Sequence, residues 1–119
     1  GLNKGFLLPN EVSRLYKADC SNDEVKRAFI FCLNTGLRFV DIIDLRYKHI
    51  ANGKIKKKQQ KTGDLVVIDL NKTAISIIGD MGEPNQNIFK LPSFTGSLKI
   101  LKNWVEEAGI EKNITCRTN

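Results

Sequence analysis

The chain has a single histidine, His49, and three cysteines, Cys20, Cys32 and Cys116, in 119 residues. The cysteines are far apart, odd in number and form no C-x-x-C pair. A disulfide framework and a structural zinc site are therefore not expected. Cys32 falls in an apolar stripe and reads as a small buried hydrophobe. No apolar run approaches the roughly 20 residues that cross a bilayer, and no basic-then-apolar leader opens the chain. Glycine-rich nucleotide loops are missing as well: Lys61-Thr62-Gly63 lacks the preceding glycine spacing of a P-loop. Acidic clusters suited to a metal, internal repeats and low-complexity tracts are likewise not found. These absences argue against secreted, membrane-spanning, metal-dependent and nucleotide-hydrolysing classes, and imply a reducing, cytoplasmic setting. No cofactor and no small-molecule substrate is expected.

What is present is a basic, foldable chain. Hydrophobic residues make up 41%, enough for one core, and residues 1–119 are expected to form a single domain. Lysine and arginine number 19 against 13 aspartates and glutamates, a net charge of +6. That balance favours an anionic partner, with nucleic acid the commonest large one.

Periodicity supplies the elements. Pro9-Asn10-Glu11 opens a helix with Asn10 as N-cap, and Val12, Leu15 and Tyr16 share a face. Ser21-Asn22-Asp23-Glu24 reads as a capping box with Ser21 at the cap. Val25, Ala28, Phe29 and Cys32 then follow at i, i+3, i+4, i+7, and Ile30, Phe31 and Leu33 make the second half apolar nearly all round, as in a central helix. Gly36 suits the left-handed position after it. A short helix is expected over Phe39–Leu45. Strands follow at Tyr47–Ile50 and Gly53–Lys58, joined by the hairpin dipeptide Asn52-Gly53. A third strand spans Leu65–Leu70. Helices are expected over Asn71–Ile78, ended by Gly79, and Ser93–Ala108, ended by Gly109, with Ile88-Phe89 anchoring the loop between. Trp104 lies on the last helix's apolar stripe and reads as core. The predicted class is α+β, mainly helical with a three-stranded antiparallel meander.

Two constellations carry possible chemistry. In Thr35-Gly36-Leu37-Arg38-Phe39-Val40-Asp41, Arg38 sits at the mouth of a tight turn and Asp41 lies one helical turn on. A guanidinium held this way can clamp two phosphate oxygens while the carboxylate steadies it. On spacing alone, an ordinary ion pair at a helix start is the favoured reading. The second constellation is Lys54, Lys56, Lys57, Lys58 and Lys61. Lys54, Lys56 and Lys58 share one face of an alternating strand and could follow a phosphate backbone, or could simply form a solvated, edge-protecting face. Lys61, in a turn beside Thr62-Gly63, could deliver a proton to a leaving alkoxide if its pKa were lowered, or could be a plain turn lysine.

Together these segments resemble the tyrosine recombinase (phage integrase) family. Thr35-Gly36-Leu37-Arg38-x-x-Asp41-x-x-x-Leu45-Arg46-Tyr47-x-x-Ile50 is similar to that family's first catalytic box. Gln59-Gln60-Lys61-Thr62-Gly63 before Val66–Leu70 is similar to its catalytic-lysine hairpin. Leu7-Leu8-Pro9-Asn10-Glu11 resembles the start of its catalytic domain. The flavour is that of bacterial phage and conjugative-transposon integrases.

The resemblance implies that Arg38 clamps phosphate, that Lys61 is the general acid on the 5′-oxygen, and that Asp41 supports the arginine. It also implies DNA contacts from Lys54, Lys56, Lys57, Lys58 and Thr62. The implied partner is double-stranded DNA, cut through a 3′-phosphotyrosine without metal and bound as a tetramer of the full-length parent. The family's second box begins with histidine or lysine, and Arg117 stands at that position. The second arginine and the nucleophilic tyrosine do not follow in the sequence. The chain is therefore expected to be the front part of an integrase catalytic domain, inactive alone. The alternative is a non-catalytic basic DNA-binding module on the same scaffold.

Overall fold

The computed structural model describes residues 9–58 and 62–110. Helices α1 (Pro9–Lys17), α2 (Asp23–Thr35) and α3 (Phe39–Ile42) come first. A 3₁₀ turn (Tyr47–His49) leads into strands β1 (Ile50–Ala51), β2 (Lys54–Lys58) and β3 (Leu65–Asp69), then helices α4 (Lys72–Ile78) and α5 (Phe94–Glu107). The sheet has the order β1-β2-β3, antiparallel throughout. The architecture is α+β, as the periodicity implied.

The centre of the molecule is α2, which buries Val25, Ala28, Phe29, Phe31 and Cys32. Phe29 meets Trp104 of α5 edge-to-face at 5.7 Å between ring centroids, and Phe31 meets Phe89 at 5.3 Å. These are the offset geometries that aromatic quadrupoles favour. Trp104 also donates its indole N–H to the carbonyls of Leu15 and Ala18, at 3.1 and 3.3 Å, tying α5 to the end of α1. Ile88 and Phe89 are buried and pin the long loop before α5.

Several boundaries differ from the sequence reading. Asn22, not Ser21, caps α2: its side-chain oxygen accepts from the Glu24 and Val25 N–H groups at 2.9 and 3.1 Å. Glu24 is thereby released from the capping box, and it accepts from the Lys90 N–H and pairs with Arg27. Helix α1 begins at Pro9, whose missing N–H costs nothing at a first helical position, so Asn10 lies inside the helix. Its buried residues are Glu11 and Leu15, while Tyr16 is 47% exposed. Leu33 is also exposed, so the second half of α2 encloses Phe31 and Cys32 but is not covered all round.

The strand expected over Tyr47–Ile50 is mostly the 3₁₀ turn. Its first two N–H groups are engaged by the loop that follows α4. Tyr47 and Lys48 donate to the carbonyls of Gln86 and Pro84, and Ile88 donates back to Leu45. Arg46 and Asn87 form an isolated bridge in this pairing. Gly82 makes room for it, since a Cβ there would lie 2.7 Å from the Tyr47 ring.

The hairpin dipeptide behaves as its composition demands. Asn52 and Gly53 have φ of 53° and 71°, the doubly left-handed pair of a two-residue turn that matches strand twist. That turn fixes Ala51 opposite Lys54 and Ile50 opposite Ile55. Ile55 is consequently buried and its lysine neighbours alternate around it.

Candidate phosphate-binding site

The turn after α2 is built to present one arginine. Gly36 takes φ of 78°, and its N–H closes on the Cys32 carbonyl at 2.8 Å. Thr35 donates its hydroxyl to the Phe31 carbonyl and accepts from the Leu37 N–H, which stiffens the exit. Leu37 and Phe39 are both buried. Arg38 lies between these two anchors, extended at φ −80° and ψ 154°, and its side chain is partly exposed.

Asp41 holds that side chain from the protein side. Arg38 Nε donates to Asp41 Oδ2 at 3.1 Å, and Nη2 donates to Oδ1 at 3.5 Å. Asp41 is almost wholly buried, at 3% side-chain exposure. A two-point bond to a carboxylate largely shielded from water is stronger than a surface pair and fixes the plane of the guanidinium. The edge of the fork not used by Asp41 is available to a planar pair of oxygens.

The same turn adjoins the lysine strand. Leu37 and Asp41 line a narrow cleft with Ile55, Lys57, Lys58 and Val66. Two residues of the first constellation, Leu37 and Asp41, therefore adjoin Lys57 and Lys58 of the lysine group. Within the strand the lysines are not equivalent. Lys54 pairs with Asp69 across the sheet. Lys57, on the Ile55 side of the pleat, has a side chain only 10% exposed and pairs with Asp44 at 3.1 Å. Lys56 and Lys58 are exposed. Thr62 accepts the Asp64 N–H in the turn that leads to β3. Lys61 and Arg117 lie outside the described residues.

Residues that the sequence reading passed over complete the basic surface. Arg46, Lys48 and His49 face Lys56, Lys57 and Lys58 across a recess of about 430 Å³. His49 Nδ1 accepts the Arg46 N–H at 3.0 Å. Burial first, then the charges of Lys57 and Lys48, lower the His49 pKa below its ordinary 6.5, with Arg46 adding to this and Asp44 opposing it. The signal for Lys57 was present in the sequence, since it shares parity with Ile55. The recess itself depends on the return of a distant loop and has no local sequence signature. Among the described residues no group of three or more His, Cys, Asp or Glu side chains is placed to hold a metal ion. No described helix is long and apolar enough to cross a membrane.

No protein-family model matches the chain, and no curated protein matches it. Among solved structures, the crystal structure of XerA recombinase is similar, with a TM-score of 0.71 at 17% identity. The match covers 93% of this chain and 44% of that one, so the chain spans less than half of the recombinase's length. At this identity the likeness is one of fold: the helices and three-stranded sheet described above form a recombinase-like arrangement.

Proposed function

We propose that the chain is part of a site-specific DNA recombinase that breaks and rejoins strands through a 3′-phosphotyrosine. The observation that carries this reading is the Arg38–Asp41 pair, held at a rigid turn beside the lysines of β2. The XerA-like fold and the resemblance of residues 35–50 and 59–70 to the tyrosine recombinase family support it. In this reading Arg38 binds two non-bridging oxygens of the scissile phosphate and offsets the charge that develops on them as phosphorus becomes five-coordinate. Asp41 keeps the guanidinium plane fixed, so little reorganisation is needed.

Lys61 supplies the proton to the 5′-oxygen. A tyrosine hydroxyl gives up its proton to solvent as its oxygen–phosphorus bond forms and the phosphorus–O5′ bond breaks, leaving a free 5′-hydroxyl. The nucleophilic tyrosine and a second arginine come from outside the 119 residues. The fragment alone binds duplex DNA weakly and does not cut it, and the full-length protein acts as a tetramer on DNA. Lys54, Lys56, Lys57, Lys58 and Thr62 contribute backbone contacts, and Arg117 lies at the second box.

The test is strand cleavage by the full-length protein on a nicked suicide duplex, scored as covalent protein–DNA adduct. Arg38→Ala and Lys61→Ala should each abolish adduct while leaving duplex affinity within a few-fold of the parent. Normal adduct from either variant removes the assigned role. Duplex binding by a full-length protein that forms no adduct at all would favour the non-catalytic DNA-binding module instead.

A further inference from the structure

The recess beside β2 joins lysines already given backbone contacts above, Lys56, Lys57 and Lys58, to residues that have no part in that reading, Arg46, Lys48 and His49. One wall is the stretch from Asp44 to His49, and the other is Lys56–Lys58 with Leu65 at its margin. Five cationic side chains, Arg46, Lys48, Lys56, Lys57 and Lys58, line it against one carboxylate, Asp44. That carboxylate is already engaged by Lys57. A concave surface with this imbalance focuses positive potential and raises the local concentration of anions.

The recess exists because β1 stops after two residues while β2 runs for five. Beyond the Ile50–Ile55 pair, β1 no longer covers the edge of β2, and the chain before it turns away as the 3₁₀ turn. The wall it forms is braced from behind by the Gln86 and Pro84 carbonyls, which accept the Tyr47 and Lys48 N–H groups. His49 is braced too. Its Nδ1 accepts the Arg46 N–H, which leaves the ring proton of the neutral form on Nε2, as a donor.

We propose that this recess binds a backbone phosphate of the nucleic acid, separate from the phosphate held by Arg38, and so sets where the duplex lies relative to the Arg38–Asp41 turn. The inference rests on the DNA-binding reading above. Lys57 and Lys58 line both the recess and the cleft beside Asp41, so the two sites are adjacent parts of one surface. Contacts of this kind fix register and carry no base sequence information.

The experiment uses the 119-residue chain, duplexes of two unrelated sequences, and the variants Lys56→Ala and Lys48→Ala/Lys56→Ala; both residues are exposed, so the fold should be unaffected. Each lost phosphate contact lowers the slope of log affinity against log salt by about 0.9, so adding Lys48→Ala should take a further step of about 0.9 from the Lys56→Ala slope, equally on both duplexes. A Lys72→Ala/Lys102→Ala control, on α4 and α5, should keep the parental slope.

His49 is the chain's only histidine, so its ring resonances need no assignment. Inorganic pyrophosphate should shift them in the parent and not in the Lys48/Lys56 variant. Should the parent bind duplex and the Lys48/Lys56 variant keep the slope of Lys56→Ala alone, or the control lose as much, the recess is not a phosphate site although the DNA reading survives. Should the parent bind no duplex even at low salt, the DNA reading fails. The recess then stands as an anion site if pyrophosphate moves His49 only in the parent, and falls if it does not.

Discussion

Helix α2 and strand β2 are built in opposite ways. Helix α2 is held by burial: five of its side chains are enclosed, two aromatic rings meet neighbours edge-on or tilted, and one asparagine satisfies its first N–H groups. Strand β2 has one enclosed side chain, Ile55, set among four lysines, two of which are restrained by carboxylates on other segments. Area removed from water dominates the first, and charge placement dominates the second. Substitutions in the helix should therefore unfold the protein, whereas substitutions around the strand should change what it binds while leaving it folded.

The largest test of that contrast is Phe29→Ala. Emptying a fully buried aromatic site costs about 3–5 kcal/mol, a large part of the roughly 5–15 kcal/mol that keeps a domain folded. Chemical denaturation should show it directly. If Phe29→Ala lowers the midpoint no more than Lys56→Ala does, the division fails.

Asp41→Ala should come next, at about 1–3 kcal/mol, because it strips a nearly buried acceptor from a guanidinium only partly open to water. Arg38→Ala should cost at least as much, since it leaves the nearly buried Asp41 carboxylate without its guanidinium. An unchanged denaturation midpoint for Arg38→Ala would mean that Asp41 does not depend on that pairing. Smaller still is Asn22→Ala, at about 1 kcal/mol for a lost cap, while Ser21→Ala should stay within about 0.5 kcal/mol. Equal effects would restore the capping box centred on Ser21.

The smallest effect concerns pH and belongs to the recess. His49 has a folded pKa below 6.5, so on acidification the unfolded chain takes up its proton first. Stability is then lost as pH falls from about 6.5 towards the lowered folded value, and the loss is complete below it. His49→Gln should remove this segment of the stability–pH curve. Glu24 acts lower down. Burial alone would raise its pKa, but the Lys90 N–H and the Arg27 bond and charge outweigh that and hold it below the ordinary 4.5. Its contribution is present above the ordinary value and is lost as pH falls through the folded one. A Glu24→Gln variant should keep the histidine segment and lose only the acidic one.

The two regions also differed in how readily the sequence disclosed them. The i, i+3, i+4, i+7 repeat of Val25, Ala28, Phe29 and Cys32 identified α2 and its inward face, because burial leaves a periodic imprint on a helix. The Asn52-Gly53 turn and the Arg38–Asp41 contact were equally legible, since each depends on neighbours in the chain. Tyr47–His49 was misread as strand because the partner that curls it, the 84–88 loop, arrives from almost 40 residues away. The pairing of Asp44 with Lys57 and the capping role of His49 were missed for related reasons: one requires tertiary placement and the other a turn type that the residues do not announce.

The Asn52-Gly53 turn limits how this hairpin can vary. Because it sets Ala51 against Lys54 with both turn residues left-handed, a single inserted or deleted residue in β2 would trade the places of Ile55 and a lysine. Length changes of two residues keep the oily side oily and the wet side wet; odd-numbered changes turn the strand inside out. Descendants of this sequence should thus be free to grow or trim the hairpin only in even steps.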